Sequence, residues 1–151
     1  MKRARFVPHV PDDRRAVVRH RVRVGYIDTD KAGVVHHAVY LAWMEAARIE
    51  YLRARGLDYR RFEVETGLAM PVVEAHLAYR APARFDDELV VETWVSGATR
   101  ARIVFEARVL RSESGGAGAE VLCEGAITVA CVHLEEARPV SVPEEVRRAC
   151  E

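Results

Sequence analysis

From residue 17 onward the apolar positions change period along the chain, and each change marks an element. Val18, His20, Val22, Val24 and Tyr26 alternate with Arg19, Arg21, Arg23 and Gly25, the period-two pattern of a strand with one buried face. After the polar stretch Asp28-Thr29-Asp30-Lys31-Ala32-Gly33 the spacing becomes helical. Tyr40, Met44, Ala47 and Tyr51 follow i, i+4, i+7, i+11, and Leu41, Trp43, Ala46 and Leu52 widen the stripe. This predicts a long, largely buried helix over about 39–55, ended by Gly56, with Arg53 and Arg55 at the negative end of its dipole. A short helix is expected over 59–66, where Gly67 breaks the pattern.

Four strand-like runs follow, at about 71–81, 88–97, 101–112 and 119–134, rich in β-branched residues such as Ile103-Val104. The links at 82–87, 97–100 and 112–118 are short, which favours antiparallel neighbours because parallel pairing needs a long crossover. The order predicts an α+β domain: a strand, a long helix, then four strands in a meander, with the helix packed on the sheet. Residues 1–15 hold two prolines and many charges without periodicity and read as an N-terminal arm, leaving 16–151 as a single domain. The stretch from Pro143 reads as a short terminal helix.

Composition narrows the class. The chain has 151 residues, 50% hydrophobic and 30% charged, which suits one globular domain and excludes a disordered chain. No apolar run approaches the ~20 residues of a membrane span, and Met1-Lys2-Arg3-Ala4-Arg5 leads into no apolar signal core, so a cytoplasmic protein is expected. Twenty-three basic residues balance 23 acidic ones, which argues against a nucleic-acid binder. The balance is uneven along the chain: residues 1–61 carry 14 basic and 7 acidic groups, residues 62–151 carry 9 and 16. Two readings stand: an anion site such as one for a nucleotide phosphate, or early arginines paired with later carboxylates.

Cys123, Cys131 and Cys150 are an odd number without CxxC spacing, so neither a disulfide framework nor a zinc site is expected. Cys123 and Cys131 share a strand face with Val121, Ile127 and Val129, the pattern of an inert core in a reducing compartment. His36 and His37 are adjacent and expected to point in different directions, so they make no metal pair; no metal and no cofactor are expected.

G-x-S-x-G, H-E-x-x-H and G-x-x-x-x-G-K-[ST] are all absent, and Gly115-Gly116-Ala117-Gly118 lies between strands as a hairpin loop. What remains is the segment from Tyr26 to Arg48, where two carboxylates and a histidine precede the helix. Free N–H groups and partial positive charge at a helix start suit an anion or a developing oxyanion, and a nearby carboxylate can act as base or nucleophile. Equally, Asp28 and Asp30 suit Asx turns or a cap, and Tyr40, Trp43 and Met44 suit either a pocket wall or the core.

The longer run Tyr26-Ile27-Asp28-Thr29-Asp30-Lys31-Ala32-Gly33-Val34-Val35-His36-His37-Ala38-Val39-Tyr40, followed by Glu45, Ala47 and Arg48, resembles the signature of hot-dog fold thioesterases of the 4-hydroxybenzoyl-CoA type. It is most similar to the acyl-CoA thioesterase branch found beside bacterial Tol-Pal genes. Tyr79-Arg80-Ala81-Pro82-Ala83-Arg84-Phe85-Asp86-Asp87-Glu88-Leu89 is similar to that family's turn into its third strand, and the resemblance spans about 17–143. It implies a five-stranded antiparallel sheet wrapped around one long helix, in homodimers joined edge to edge or homotetramers. It implies an acyl-CoA substrate hydrolysed to free acid and CoA, with Asp30 as the catalytic carboxylate and His37 as the histidine before the helix. A tyrosine stands at that histidine position in the benzoyl-CoA branch, which makes an aromatic hydroxybenzoyl substrate the weaker match. Gly33, Tyr40, Trp43, Met44 and Glu45 are then expected around the substrate, and Arg100 and Arg102, beside the turn between strands, against the CoA phosphates. Two alternatives remain: an acyl-carrier-protein thioesterase, and a non-catalytic acyl-CoA binding or scaffold module on the same fold.

Overall fold

The computed structural model describes residues 6–111 and 118–151. Its strands are β1 (Val18–Arg23), β2 (Leu68–Ala69), β3 (Val72–Tyr79), β4 (Glu88–Ala98), β5 (Arg102–Arg111), β6 (Glu120–His133) and β7 (Arg138–Val140). Its helices are α1 (Val39–Ala54), α2 (Tyr59–Thr66) and α3 (Glu144–Ala149), with single 3-10 turns at Arg14–Ala16 and Tyr26–Asp28. The five long strands lie in the order β1-β4-β5-β6-β3, all antiparallel, and the short β2 and β7 pair with the last residues of β6.

The expected four-strand meander is therefore corrected. Only β4, β5 and β6 run as a meander; β3 pairs with β6, and residues 80–87 cross from one side of the sheet to the other. A short link can make that crossing because the sheet curls around α1. The helix buries Tyr40, Trp43, Met44, Ala47, Tyr51 and Leu52 against Leu89, Val91, Ile103, Phe105, Ile127 and Val129. Gly125 marks the closest approach: a Cβ there would lie 3.0 Å from the Met44 sulfur. Gly56 adopts φ +85° just after α1, and the Leu57 N–H closes back on the Leu52 carbonyl at 3.0 Å, so the helix ends where the sequence places its glycine.

Two pattern readings fail at strand ends. β1 stops at Arg23, and Tyr26 and Ile27 turn out to 81% and 93% exposure, because the backbone enters the 3-10 turn there. On β6 the register shifts between Val109 and Leu110 of β5, leaving Leu122 as an extra residue. Leu122 and Cys123 are both fully buried, and Val121 leaves the row that Cys123, Ile127, Val129 and Cys131 keep.

Residues 6–14 of the arm lie over part of the sheet's outer face. The Phe6 ring packs tilted against His76 at 5.1 Å, the Arg80 guanidinium donates to the Phe6 carbonyl at 2.8 Å, and the His9 N–H donates to Glu106 at 3.1 Å. Beneath lie Trp94, 1% exposed, and the Glu92 carboxylate, which receives Arg14 at 2.8 Å and Arg108 at 2.7 Å, with Arg19 at 3.5 Å. Arg23 likewise pairs with Asp86 and Glu88. These early arginines are thus paired with later carboxylates, the second of the two readings of the charge distribution. Among the described residues no helix is long and apolar enough to cross a membrane. The hairpin reading of 115–118 falls, except for Gly118, outside the described residues.

Candidate active site

The D-T-D loop is a tight hairpin hung on the start of α1. Thr29 and Val35 form an isolated antiparallel bridge, the Asp30 N–H donates to the Val34 carbonyl at 2.9 Å, and the Gly33 N–H donates to the Asp30 carbonyl at 3.0 Å. Gly33 sits at φ +78° with nothing near its missing Cβ, so glycine is needed there for the backbone turn. The crossing segment supports the hairpin from below: the Val35 N–H donates to the Ala83 carbonyl at 2.9 Å, and Val24 exchanges hydrogen bonds with Asp86 and Asp87.

The two aspartates are held differently. Asp28 is half-buried; its carboxylate accepts the Gly25 N–H at 2.8 Å and its carbonyl accepts the His36 N–H at 2.9 Å, tying the loop to the segment that enters α1. Asp30 is exposed, and one carboxylate oxygen accepts the Ala32 N–H at 2.8 Å in an Asx turn. That single bond fixes the side chain and leaves the other oxygen open to a ligand. At the start of α1, Ala38 occupies the N-cap, no side chain caps the first turn, and no acidic residue lies in it. The positive end of the helix dipole is left without a neutralising group of its own.

His37 and Tyr40 face a cleft of about 290 Å³, completed by Val34, Val35, Tyr79, Arg80, Ala81 and Pro82. The Tyr79 hydroxyl donates to the His37 carbonyl at 2.7 Å, and its ring meets Tyr40 edge to face at 5.5 Å. Tyr40 packs edge to face on Trp43 at 5.3 Å, and its hydroxyl accepts the Ala83 N–H at 3.2 Å. Burial raises the phenol pKa of both Tyr40 and Tyr79, so each stays protonated through the neutral range.

His36 and His37 do not diverge: their rings stack at 4.2 Å, because the turn closed by the Val39 N–H on the His36 carbonyl brings the side chains alongside. His36 Nδ1 accepts the Ala38 N–H at 3.1 Å. Among the described residues no group of three or more His, Cys, Asp and Glu is placed to hold a metal ion.

Of the residues singled out in the sequence, the structure brings His37 and Tyr40 to the cleft, with Asp30 and Gly33 on the adjoining hairpin. Trp43 and Met44 are buried in the core behind Tyr40, Met44 against Gly125. Glu45 is exposed, 3.8 Å from the buried Arg48. Arg100 and Arg102 are not brought to the cleft of their own chain. They lie where β4 turns into β5, at the Val72 end of the sheet, whereas the cleft lies at the Tyr79 end. Those two ends of β3 are about 23 Å apart at ~3.3 Å per residue. Both arginines are exposed, and Arg100 donates to the Ser141 hydroxyl at 3.2 Å. Sequence reasoning missed the cleft's other wall, Tyr79 to Pro82. Its signal was a tyrosine ending a strand and a proline opening the crossing segment, within the second resemblance motif.

Comparison with known proteins agrees with this architecture. Residues 22–150 match the family model described as the Thioesterase-like superfamily. The acyl-CoA thioesterase YbgC of Haemophilus influenzae is 41% identical over 128 residues, covering 85% of this chain and 90% of that protein. The 4-hydroxybenzoyl-CoA thioesterase of a Pseudomonas species is 30% identical, covering 85% and 93%. A crystal structure of a mutant 4-hydroxybenzoyl CoA thioesterase complexed with 4-hydroxybenzoyl CoA superposes with a TM-score of 0.81 at 25% identity, covering 90% of this chain and 99% of that one. The chain therefore belongs to the Thioesterase-like superfamily, and its antiparallel sheet curled around one long helix is the hot-dog fold.

Proposed function

We propose that this protein is an acyl-CoA thioesterase that hydrolyses the thioester to a free carboxylic acid and CoA, with Asp30 as its catalytic carboxylate. The observation that carries the reading is the arrangement around α1. An exposed carboxylate on a glycine-dependent hairpin adjoins an uncapped helix start, and His37 and Tyr40 of that start line a cleft. The thioester carbonyl oxygen lies against the first-turn N–H groups, where donors aimed at developing negative charge are worth about 3 kcal/mol each. In one route Asp30 takes a proton from water as the hydroxide bonds to the carbonyl carbon; the tetrahedral intermediate then expels CoA thiolate, which is protonated on leaving. In the other, Asp30 attacks the carbonyl directly, the C–S bond breaks, and water hydrolyses the resulting anhydride. His37 orients the thioester or protonates the thiolate, and Tyr40 and Glu45 serve in positioning and support.

Arg100 and Arg102 are proposed to meet the CoA phosphates at the far end of the long pantetheine arm. Both are exposed, and neither forms an ion pair among the described residues, which supports that role. The protein is proposed to work as a homo-oligomer in the cytoplasm, consistent with three unpaired, buried cysteines.

A thiol-release assay over aliphatic and aromatic acyl-CoAs tests the reading, run beside the same acyl groups on an acyl-carrier protein. Turnover of CoA esters at rates above the carrier esters is expected. Faster cleavage of the carrier esters moves the assignment to a carrier-protein thioesterase, and saturable acyl-CoA binding without thiol release makes the chain a binding module.

A further inference from the structure

Tyr79 ends β3, an edge strand whose one long partner among the described residues is β6, and lies opposite Cys123 in the register. Its ring is half-exposed, so packing alone asks for nothing more than a phenylalanine or a leucine there. Its hydroxyl nevertheless reaches across 42 residues of sequence to the His37 carbonyl, at 2.7 Å. That carbonyl belongs to the residue whose imidazole faces the cleft, one position before the uncapped N-cap of α1. The same ring stands edge to face on Tyr40, and both tyrosines wall the cleft. One side chain thus links the end of β3, the histidine and the wall of the cavity.

We propose that Tyr79 is a positioning and specificity-determining residue: its hydroxyl fixes the His37 backbone and thereby aims the imidazole, and its ring limits the acyl group that the cleft admits. The inference rests on the thioesterase reading for its substrate. At about 290 Å³ the cleft is at the small end of ligand pockets, so each wall bears on which acyl groups it admits. Tyr79 and Tyr40 are two of its aromatic walls, so removing the Tyr79 ring is expected to enlarge the space open to the acyl group.

Two variants separate the two roles. Tyr79→Phe keeps the ring and loses the donor; kcat is expected to fall about tenfold, the effect of one lost hydrogen bond, with KM within about twofold of wild type. Tyr79→Ala opens the wall, and the ratio of kcat/KM for long over short acyl-CoAs is expected to rise about tenfold. Histidine-ring NMR of Tyr79→Phe, read without substrate, is expected to move the His37 signals and those of His36 stacked on it, leaving His20, His76 and His133 in place. Binding of acyl-CoA thioether analogues, which cannot be hydrolysed, is expected to show the same change of chain-length preference in Tyr79→Ala. A wild type that binds these analogues but releases no thiol refutes the thioesterase reading while the NMR and binding results still decide the role of Tyr79. Unmoved His37 signals in Tyr79→Phe overturn the positioning role. An unchanged order of acyl preference in Tyr79→Ala, in turnover or in analogue binding, overturns the specificity role.

Discussion

At the scale of single residues, the D-T-D loop divides its labour between two like charges. Asp28 spends its carboxylate on the Gly25 N–H and its carbonyl on the His36 N–H, so it is part of the scaffold. Asp28→Ala leaves the Gly25 N–H without its partner and is expected to cost about 1 kcal/mol, read as a lowered Tm. Gly33→Ala meets no neighbouring atom, yet it must hold φ +78°, and the expected cost is about 1 kcal/mol of backbone strain. Equal Tm values for Gly33→Ala and wild type would show that the hairpin relaxes without cost. The cysteines give a pH test. Burial pushes the Cys123 thiol up from its ordinary 9.0 to about 12. Below pH 9 the folded and unfolded chains both hold that proton; above it the unfolded chain releases the proton and the folded chain retains it until about 12. Stability is therefore expected to be full below pH 9 and to fall as pH rises toward 12 in denaturant melts, with Cys123→Ala flattening part of that slope.

At the scale of elements, α1 and the strands were legible because their periods are long and their ends carry punctuation. The helix was read as about 39–55 and forms Val39–Ala54; the short helix was read as 59–66 and forms Tyr59–Thr66. What was not legible depends on partners distant in sequence. The pairing of β3 with β6 rather than with its neighbour β4 follows from the sheet curling around α1, which no local pattern encodes. The bulge at Leu122 changes a face by one inserted residue, invisible in an unbroken apolar run. In the site, Asp30, Gly33 and His37 were legible as a motif, whereas Tyr79 enters through a contact across 42 residues. The helix seat itself is testable. Gly125→Ala places a Cβ 3.0 Å from the Met44 sulfur and 3.2 Å from the His76 carbonyl oxygen. Overpacking of about 1–3 kcal/mol is expected, with Gly125→Ala/Met44→Ala recovering part of it. A Gly125→Ala protein melting at the wild-type temperature would place the helix farther from the sheet than described.

At the scale of the whole molecule, the sheet's two faces and its free edge have different fates. The inner face holds α1, part of the outer face lies under residues 6–14 with Trp94 and Glu92 buried there, and among the described residues one edge of β3 is unpaired. Removing residues 1–17 is expected to uncover Trp94, shift tryptophan emission to the red and lower Tm; unchanged emission would mean that the arm does not lie on the sheet in solution. The open edge of β3 is expected to pair with a second copy, giving a dimer or larger species in light scattering; an active monomer at assay concentration would contradict this. Whether Asp30 performs the chemistry beside the start of α1 is decided by Asp30→Asn. That change keeps size and hydrogen-bonding capacity and removes the anionic oxygen. With Asp30 as the catalytic carboxylate, kcat on the best acyl-CoA is expected to fall by a factor of about 10² or more, while Tm and acyl-CoA binding stay near wild type. Comparable kcat values for the two proteins, or a larger loss in Asp28→Asn, would contradict it.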